Sequence, residues 1–297
     1  MEIVVSGSSG LVGRALVPAL RDAGHVVRRL VRREPAAPDE IRWDPVSSAI
    51  DTDGLAGVEG AIHLAGEGIA DRRWTPEQKR RILESRTRGT SLLARTIATL
   101  DPQPRVFLSS SAVGYYGDGG DELLTEDAPR APGFLADVVA AWEAATQPAV
   151  DAGIRTVFLR SGVVLSPDGG AMGKVLPLFK LGLGGPIGRG REWWPWISMV
   201  DEVGAIVHLL DADVSGPVNL TAPNPVRASE YAKALGRALH RPAFLPIPRL
   251  GPQLLLGREL TAALLGQSQR VAPTRLEASG YAFRHPDLDA ALAELLA

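Results

Sequence analysis

Cysteine is absent from this chain of 297 residues, which excludes disulfides, thiolate catalysis and cysteine-based metal sites. The 5 histidines are scattered without the spacing of metal ligands, so we expect no metal site. An excess of one charge is also lacking. The 32 basic and 34 acidic residues give a net charge of −2, which offers no support for a nucleic-acid or anionic-membrane partner.

Long hydrophobic stretches are lacking as well, because no uncharged apolar run of the sequence approaches the length of a membrane span. The first predicted strand starts at Glu2 and leaves no room for a signal peptide. We therefore expect a soluble, cytoplasmic protein.

What is present is most informative at the N-terminus. Residues 3–5 form an apolar run that enters a glycine loop of GxxGxxG spacing, and an amphipathic segment follows at residues 14–23. Gly7 allows a tight turn, Gly10 allows backbone N–H groups to approach a pyrophosphate, and Gly13 allows a helix to pack close to the sheet. The dehydrogenase fingerprint is GxGxxG, so the glycines alone are weak evidence. Their place between a strand and a helix favours a dinucleotide site over a plain glycine-rich turn.

Strand-like apolar runs alternate with helical stretches through the first half of the chain. This alternation predicts βαβ units and hence an α/β fold, a Rossmann-type doubly wound parallel sheet. The Gly, Ala-Gly and Ser clusters fall at the carboxyl ends of the predicted strands, where such sheets bind ligands. Strands are predicted at residues 3–5, 25–31, 61–66, 106–108, 156–159 and 217–220, helices at 14–23, 76–100, 134–150 and 201–211, and a loop at 43–45.

The composition of the sequence changes after Leu165. Gly and Pro become frequent between residues 166 and 190, and helices dominate from Ser229 onward. We therefore predict a smaller, discontinuous second domain that closes over the cofactor on the substrate side. The Rossmann domain is predicted at 1–165, with 201–222 returning to it, and the substrate-side domain at 166–200 and 223–297.

The end of the second predicted strand distinguishes NADP from NAD. An NAD enzyme usually has Asp or Glu there, which accepts hydrogen bonds from the ribose hydroxyls. This strand ends in Arg32 and Arg33, with no acid before Glu34. A guanidinium can bind a 2′-phosphate through two hydrogen bonds and gains nothing from a bare ribose. We therefore predict NADP as cofactor, the alternative being that both arginines belong to a solvated turn.

Further motifs follow in order along nearly the whole chain. They lie at residues 7–13, 63–67, 73–75, 85–86, 111–117, 142–143, 160–165, 182–188, 196–197, 219–223 and 266–267. In these motifs the chain resembles an atypical extended short-chain dehydrogenase/reductase of the epimerase family, also called nucleoside-diphosphate-sugar epimerase-like proteins. The resemblance implies the same Rossmann fold and specific positions for the cofactor.

Those positions can be assigned residue by residue from the resemblance. The glycine loop would hold the pyrophosphate, Arg32 the 2′-phosphate, and residues 64–66 would pass beneath the adenosine. Arg86 stands near where typical members have Asn, and we expect it to contact the cofactor unless it is a helix-surface residue. Residues 163–164 would line the nicotinamide end or belong to plain core. The predicted cofactor set is Gly7, Ser8, Ser9, Gly10, Leu11, Val12, Gly13, Arg32, Arg33, Leu64, Ala65, Gly66, Glu67, Arg86, Ser109, Ser110, Val163 and Val164.

Catalysis in this class uses a Tyr as proton donor or acceptor, a Lys four residues later and a Ser that orients the substrate oxygen. Ser111 matches the Ser position. The YxxxK pair is missing, because the helix expected to carry it, residues 134–143, contains no Tyr and no Lys. Tyr115 and Tyr116 are the phenols near Ser111 and our candidates for the proton donor. The alternative is that both pack or cap the turn before Gly117.

Two acidic residues complete the set of candidate site residues. Glu67 is a possible general acid or base, while Asp201 is expected to cap a helix.

Two functions remain open. The first function is an NADP(H)-dependent oxidoreductase or epimerase-like protein acting on a small carbonyl or hydroxyl substrate. Reduction suits it better, since a Tyr of pKa ~10 without the Lys is a poor base at neutral pH. The second is an NADP(H)-binding regulatory or redox-sensing protein with little or no catalysis.

The oligomeric state is expected to be a monomer or a homodimer. The apolar segment at residues 252–265 is typical of a core or dimer helix rather than one that docks on a membrane.

Overall fold

The apolar runs form a regular succession of strands and helices in the computed structural model, which describes residues 1–186, 190–243, 246–248, 253–254 and 257–297. The strands are β1 (Glu2–Ser6), β2 (Val26–Val31), β3 (Glu40–Asp44), β4 (Ala49–Ile50), β5 (Gly60–His63), β6 (Val106–Ala112), β7 (Leu123–Leu124), β8 (Arg155–Ser161), β9 (Val163–Leu165), β10 (Trp193–Trp194), β11 (Trp196–Ser198), β12 (Gly216–Leu220), β13 (Val226–Arg227) and β14 (Arg270–Val271). The α-helices are α1 (Leu11–Asp22), α2 (Pro76–Ala98), α3 (Phe134–Ala144), α4 (Gln147–Asp151), α5 (Gly170–Lys180), α6 (Met199–Leu209), α7 (Ala228–Ala238), α8 (Arg258–Leu265), α9 (Thr274–Ala278) and α10 (Leu288–Leu295).

Eight of the strands form one sheet in the order β12-β8-β6-β5-β1-β2-β3-β4. Its neighbouring strands run parallel except for β3 and β4, which are antiparallel. The chain moves outward from β1 through β2 and β3 and then returns to the other side of β1 with β5. Parallel sheets bind ligands at the carboxyl ends of the strands where the order reverses. The predicted Rossmann-type α/β fold is confirmed, and the crevice between β1 and β5 is where a site is expected.

Each side of the sheet has its own apolar core, because alternate strand residues face opposite sides. Ile3 and Val5 of β1 belong to the core beneath α1 and α6. Val4 packs on the other side with Phe107 of β6 and Leu93 of α2. Burial on both sides explains why these strands are continuous apolar runs in the sequence.

A third apolar core lies outside the large sheet and is built by α5, α7 and α10. Its members include Met172, Leu235 and Leu292, each fully buried. It lies where the sequence predicts the substrate-side domain, although the predicted boundaries stay an interpretation. The C-terminal region is divided, because Leu276 and Tyr281 pack against the core beneath α1 and α6.

Three elements differ from the sequence-based prediction. Strand β3 replaces the predicted loop because Ile41 and Trp43 are buried, and this burial outweighs the turn signal of the following Asp-Pro pair. The helix predicted at 134–150 is divided into α3 and α4. Pro148 has no N–H to donate to the carbonyl of Ala144, and it lies in the first turn of α4, where a missing N–H is tolerated, so the hydrogen-bond pattern is interrupted between the two helices. Helix α5 forms within the Gly- and Pro-rich stretch, where none is predicted.

Two sequence motifs fall partly outside the described residues. Within the predicted helix at 252–265, α8 accounts for the last eight residues, while residues 252 and 255–256 lie outside. Residues 187–188 of the glycine-rich motif at 182–188 also lie outside.

Candidate cofactor and active site

The glycine loop connects β1 to α1 in a turn that only glycine permits. Gly7 has a φ of +71°, and a β-carbon there would lie 2.7 Å from the carbonyl carbon of Leu64. A β-carbon on Gly13 would lie 2.2 Å from the carbonyl oxygen of Gly7, so glycine is needed for α1 to pack this closely. Gly10 is the N-cap and supplies no side-chain hydrogen bond, which leaves the first amides of α1 without a capping partner. Such a cradle fits a pyrophosphate. Ser8, Ser9, Leu11 and Val12 lie in the same turn.

A buried Ser–His pair, which sequence reasoning missed, fixes the crevice floor beside this loop. Oγ of Ser6 lies 2.7 Å from Nδ1 of His63 and accepts hydrogen bonds from the amides of Leu64 (3.2 Å) and Ala65 (3.4 Å). Burial lowers the pKa of His63 to about 3, so the imidazole is neutral at physiological pH. The backbone that leaves β5 is therefore held in place where the adenosine is predicted. A polar residue at the end of each of two neighbouring apolar strands was the available signal.

The two arginines after β2 behave differently. Arg33 donates two hydrogen bonds to the carboxylate of Glu40, at 2.7 and 2.5 Å, and these hold the pKa of Glu40 down at about 2. Arg33 is therefore engaged within the protein. Arg32 is exposed and makes no hydrogen bond or ion pair with any residue that the structure describes. Only Arg32 of the pair is free to bind an external anion.

Arg86 extends from α2 to the end of β5. Its Nη1 donates to the carbonyl oxygens of Glu67 (2.9 Å) and Ile82 (3.2 Å), and Cζ lies 4.9 Å from the ring centre of Trp142. Burial lowers the pKa of Arg86 to about 10, which leaves it charged at neutral pH. A β-carbon on Gly66 would lie 3.4 Å from Cζ. Arg86 thus lies against the strand end instead of on the helix surface, and its contact with the cofactor stays a prediction.

Glu67 turns its side chain towards α2. Its Oε1 accepts hydrogen bonds from Nη2 of Arg81 (3.1 Å) and Nε2 of Gln78 (3.4 Å), and its amide donates to Oγ of Ser85 (3.0 Å). These contacts tie the strand end to the helix. They give no support to Glu67 as a general acid or base.

The remaining predicted cofactor residues lie in β6 and in β9, the short strand that follows β8. Ser109 is buried and Ser110 half-buried, and successive residues of the strand face opposite sides of the sheet. Val163 and Val164 are half-buried; Val163 packs against the core of α5 and α7, and Val164 against the core of α1 and α6. The two valines therefore lie at the junction of the cores, and their contact with nicotinamide stays a prediction.

Ser111 is joined to a buried ion pair. Its Oγ donates to Oε1 of Glu143 at 2.6 Å, and Glu143 accepts two hydrogen bonds from Arg160, at 2.8 and 2.9 Å. Ser111 and Arg160 are partners in the register of β6 and β8, so both face α3. Sequence reasoning placed Glu143 and Arg160 only in motifs of the resemblance and gave them no role.

The two candidate phenols have different surroundings. Tyr116 is 3% exposed, donates to Oδ1 of Asn219 at 2.7 Å and accepts from Nη1 of Arg160 at 3.0 Å. Burial raises the pKa of Tyr116 above its usual range. This geometry is that of a packed residue and disfavours Tyr116 as proton donor. Tyr115 is half-buried, and Cζ of Arg160 lies 3.7 Å from its ring centre.

The helix expected to carry YxxxK presents apolar residues instead. Leu135, Val139 and Glu143 are spaced four apart and share one face of α3. A β-carbon on Gly114 would lie 3.5 Å from Cβ of Leu135 and 3.9 Å from Cγ2 of Val139, while Glu143 contacts Ser111. This face of α3 therefore supplies no phenol and no ammonium beside Ser111.

Asp201 and Glu202 are buried at the start of α6. The carboxylate of Asp201 accepts a hydrogen bond from Oγ of Ser198 at the start of the helix. It also accepts hydrogen bonds from the amides of residues 284 and 285, at 2.8 and 2.9 Å. The N-cap itself is Ser198, whose Oγ accepts from the amide of Asp201, so the carboxylate of Asp201 holds the capping residue and anchors the C-terminal segment. Glu202 accepts from Oγ of Ser161 at 2.6 Å, and burial raises the pKa of Glu202 to about 7.

Metal sites and membrane spans are both lacking in the described part of the chain. Its residues contain no group of three or more His, Asp or Glu side chains that could hold a metal ion. None of the helices that the structure describes is both long and apolar enough to cross a membrane.

Comparison with known proteins agrees with this architecture. Residues 3–221 match the NAD dependent epimerase/dehydratase family, and residues 247–295 match a domain of unknown function. The chain is 41% identical over 291 residues to the epimerase family protein Mb2239 of Mycobacterium bovis, covering 98% of this chain and 96% of that protein. It is 39% identical over 301 residues to the epimerase family protein SDR39U1 of Homo sapiens, covering 100% of both.

A crystal structure of human SDR39U1 (isoform 2) with NADPH is similar to this chain with a TM-score of 0.90 and 37% identity, over 100% of this chain and 99% of that one. The resemblance seen in the sequence motifs is confirmed by these matches. With a family match over most of its length and relatives aligned from end to end, this chain belongs to the NAD dependent epimerase/dehydratase family.

Proposed function

We propose that this protein binds NADP(H) and reduces a small carbonyl compound. The similar human structure contains NADPH. The glycine cradle, the fixed end of β5 and the charged Arg86 are the protein groups that would surround a dinucleotide. A cytoplasmic location and a monomeric or homodimeric state remain predictions from the sequence.

The observation that carries the proposal is the contrast between Arg32 and Arg33. Arg33 is neutralised by Glu40, whereas Arg32 is exposed and unpaired among the described residues. It stands directly after β2, the position from which a side chain reaches the adenine ribose in this fold. An unpaired guanidinium there favours a cofactor that carries a 2′-phosphate.

NADPH, when bound, would supply the hydride of a carbonyl reduction. The chain must then provide a proton to the substrate oxygen, and Ser111 and Tyr115 are the hydroxyls beside the end of β6, of which Ser111 already donates to Glu143. Epimerisation is less well supported because it needs reversible oxidation and therefore a base. The carboxylate that faces Ser111 from α3, that of Glu143, is already paired with Arg160, and Leu135 and Val139 of the same face supply no base.

A second function is favoured by one specific observation. The hydroxyls of Ser111 and Tyr116 are both bonded within a buried network. A protein that used NADP(H) as a regulatory ligand or a redox signal would keep its cofactor loop, and its hydroxyls could be hydrogen-bonded to protein groups because they need not act on a substrate. This alternative predicts tight NADPH binding without turnover.

Cofactor choice is tested by calorimetry with NADPH and NADH on Arg32→Ala and its matched control, Arg33→Ala. A charge-assisted hydrogen bond contributes about 1.5–3 kcal/mol, so Arg32→Ala is expected to weaken NADPH binding roughly 10- to 150-fold and to leave NADH binding unchanged. Arg33→Ala is expected to lower stability by freeing Glu40, with a smaller effect on affinity. Equal binding of NADPH and NADH by the wild type would contradict the proposal.

Turnover is tested by single-turnover oxidation of NADPH against a panel of aldehydes, ketones, quinones and nucleotide-sugar ketones. The proposal expects oxidation with at least one member. Tight NADPH binding without oxidation anywhere in the panel would favour the regulatory function.

A further inference from the structure

The buried ion pair of Glu143 and Arg160 bridges the two candidate catalytic side chains. Oε1 of Glu143 accepts two hydrogen bonds, one from Oγ of Ser111 at 2.6 Å and one from Nε of Arg160 at 2.8 Å. On its other side the guanidinium of Arg160 lies under the ring of Tyr115, with Cζ 3.7 Å from the ring centre. Arg160 is 3% exposed, so this contact is shielded from solvent.

The protons in this cluster can be assigned. Burial opposes the charge on Arg160, but the hydrogen bonds and the charge attraction of Glu143, together with the contact to Tyr116, outweigh burial and raise the pKa of Arg160 above its ordinary value. Both carboxylate oxygens of Glu143 accept hydrogen bonds from the guanidinium of Arg160, so Glu143 is the acceptor in this cluster and Ser111 donates to it at 2.6 Å. A hydroxyl has one proton, so Ser111 can accept a further hydrogen bond but cannot donate one to a substrate carbonyl.

Counting the hydroxyl protons in the same way distinguishes Tyr115 from Tyr116. The proton of Tyr116 is directed at Oδ1 of Asn219, and its oxygen accepts from Arg160. The hydroxyl of Tyr115 forms no hydrogen bond with the part of the chain that the structure describes. Of the three hydroxyls, Tyr115 alone has a proton that no group of the described residues accepts.

We propose that Arg160, held in place by Glu143, is a positioning residue that fixes the ring of Tyr115 as proton donor, in the role left open by the missing YxxxK. This inference rests on the proposed reductase function. Bound NADPH would supply a hydride and be left as NADP⁺; the substrate carbonyl carbon would gain that hydride as a new C–H bond, and the C=O π pair would move to the oxygen. The O–H bond of Tyr115 breaks as that oxygen takes the proton, and the phenolate recovers a proton from water. Ser111 accepts a hydrogen bond from the new hydroxyl.

The test uses variants that avoid a lone buried charge. Removing one partner of a buried pair is strongly destabilising, so the pair is neutralised together as Arg160→Met/Glu143→Gln. Tyr115→Phe removes only the proposed donor and keeps the ring on the guanidinium. The control is Tyr231→Phe, which deletes a buried phenol oxygen that has no partner among the described residues and lies in the separate core of α5 and α7.

The first measurement needs no cofactor. The chain contains 4 tyrosines, so protein labelled with 3-fluorotyrosine has four fluorine resonances that Tyr→Phe variants assign. In the double variant the resonance of Tyr115 is expected to move towards that of an exposed tyrosine, while that of Tyr231 stays in place. An unmoved Tyr115 resonance would overturn the positioning role.

The second measurement is the single-turnover rate at saturating NADPH. Tyr115→Phe and the double variant are each expected to slow oxidation at least tenfold, with NADPH affinity within threefold of wild type and Tyr231→Phe unchanged. The triple variant is expected to be no slower than the double, because the hydroxyl of a misplaced Tyr115 contributes nothing.

The outcomes separate this inference from the function on which it rests. If the wild type oxidises NADPH but Tyr115→Phe reacts as fast, or the losses multiply in the triple variant, the positioning role is overturned and the reductase stands. If the wild type oxidises NADPH with no member of the panel, the reductase is overturned and the positioning role with it.

Discussion

Replacing Glu202 by Gln is expected to stabilise the folded protein in alkaline solution and to have little effect in mild acid. The carboxyl is 2% exposed, accepts from Oγ of Ser161 at 2.6 Å, and its Oε2 has no partner among the described residues. Burial raises the pKa of Glu202 from 4.5 to about 7. The folded protein therefore holds a proton that the unfolded chain releases at lower pH.

The sign and size follow from proton linkage. Below pH 4.5 the carboxyl is protonated in both states and the free energy of unfolding is unaffected. Between 4.5 and 7 only the unfolded chain loses the proton, so stability falls as pH rises, and above 7 the loss is complete. A tenfold change in proton affinity corresponds to about 1.4 kcal/mol, so the full loss is about 3 kcal/mol. Gln cannot ionise and can still accept the hydrogen bond from Ser161.

The assay is urea denaturation at pH 5 and pH 8.5, with Glu122→Gln as the exposed-carboxyl control. We expect Glu202→Gln to raise the free energy of unfolding by about 3 kcal/mol at pH 8.5 and by less than about 1 kcal/mol at pH 5. The control is expected to change little at either pH. A gain of equal size at both pH values, or a loss at pH 8.5, would refute the assignment of a neutral carboxyl.

Two further predictions concern the glycine loop and the C-terminal anchor. Gly13→Ala places a β-carbon 2.2 Å from the carbonyl oxygen of Gly7, so we expect NADPH affinity in fluorescence titration to fall tenfold or more. Gly24→Ala, at a φ of +83° with no atom within 4 Å, is the control: it is expected to destabilise by about 1 kcal/mol and to leave affinity unchanged. Asp201→Ala leaves the amides of residues 284 and 285 without their acceptor, and urea denaturation is expected to show a loss of roughly 3 kcal/mol. Unchanged stability would contradict the anchoring role.

The sheet and the glycine loop could be predicted because their signals are local. An apolar run, three spaced glycines and an amphipathic segment lie within one stretch, and each has few structural solutions. The contrast between Arg32 and Arg33 could not be predicted in the same way. It depends on Glu40, which becomes buried only because residues 40–44 form β3 beside β2. Since the sequence indicates a loop there, the acceptor for Arg33 was not recognised.

The contacts of the candidate catalytic residues could not be predicted from the sequence for a different reason, because they depend on strand register. Ser111, Arg160 and Asn219 are neighbours across β6, β8 and β12, although 49 and 59 positions separate them along the chain. A polar row through a buried sheet is costly unless every charge is paired. Once the register is known, an acid is required beside Arg160, and Glu143 of α3 supplies it.

The same physical argument connects the missing YxxxK to what replaces it. A lysine at the position of Val139, which is buried, would add a cation one helical turn before Glu143, an acid that already pairs with Arg160. An apolar residue at that position leaves Glu143 to Arg160 alone, and the pair is then fully hydrogen-bonded. Introducing Lys at Val139 is therefore expected to destabilise the fold instead of restoring a catalytic pair. A Val139→Lys variant that kept wild-type stability and gained turnover would show that the ion pair and the lysine can coexist.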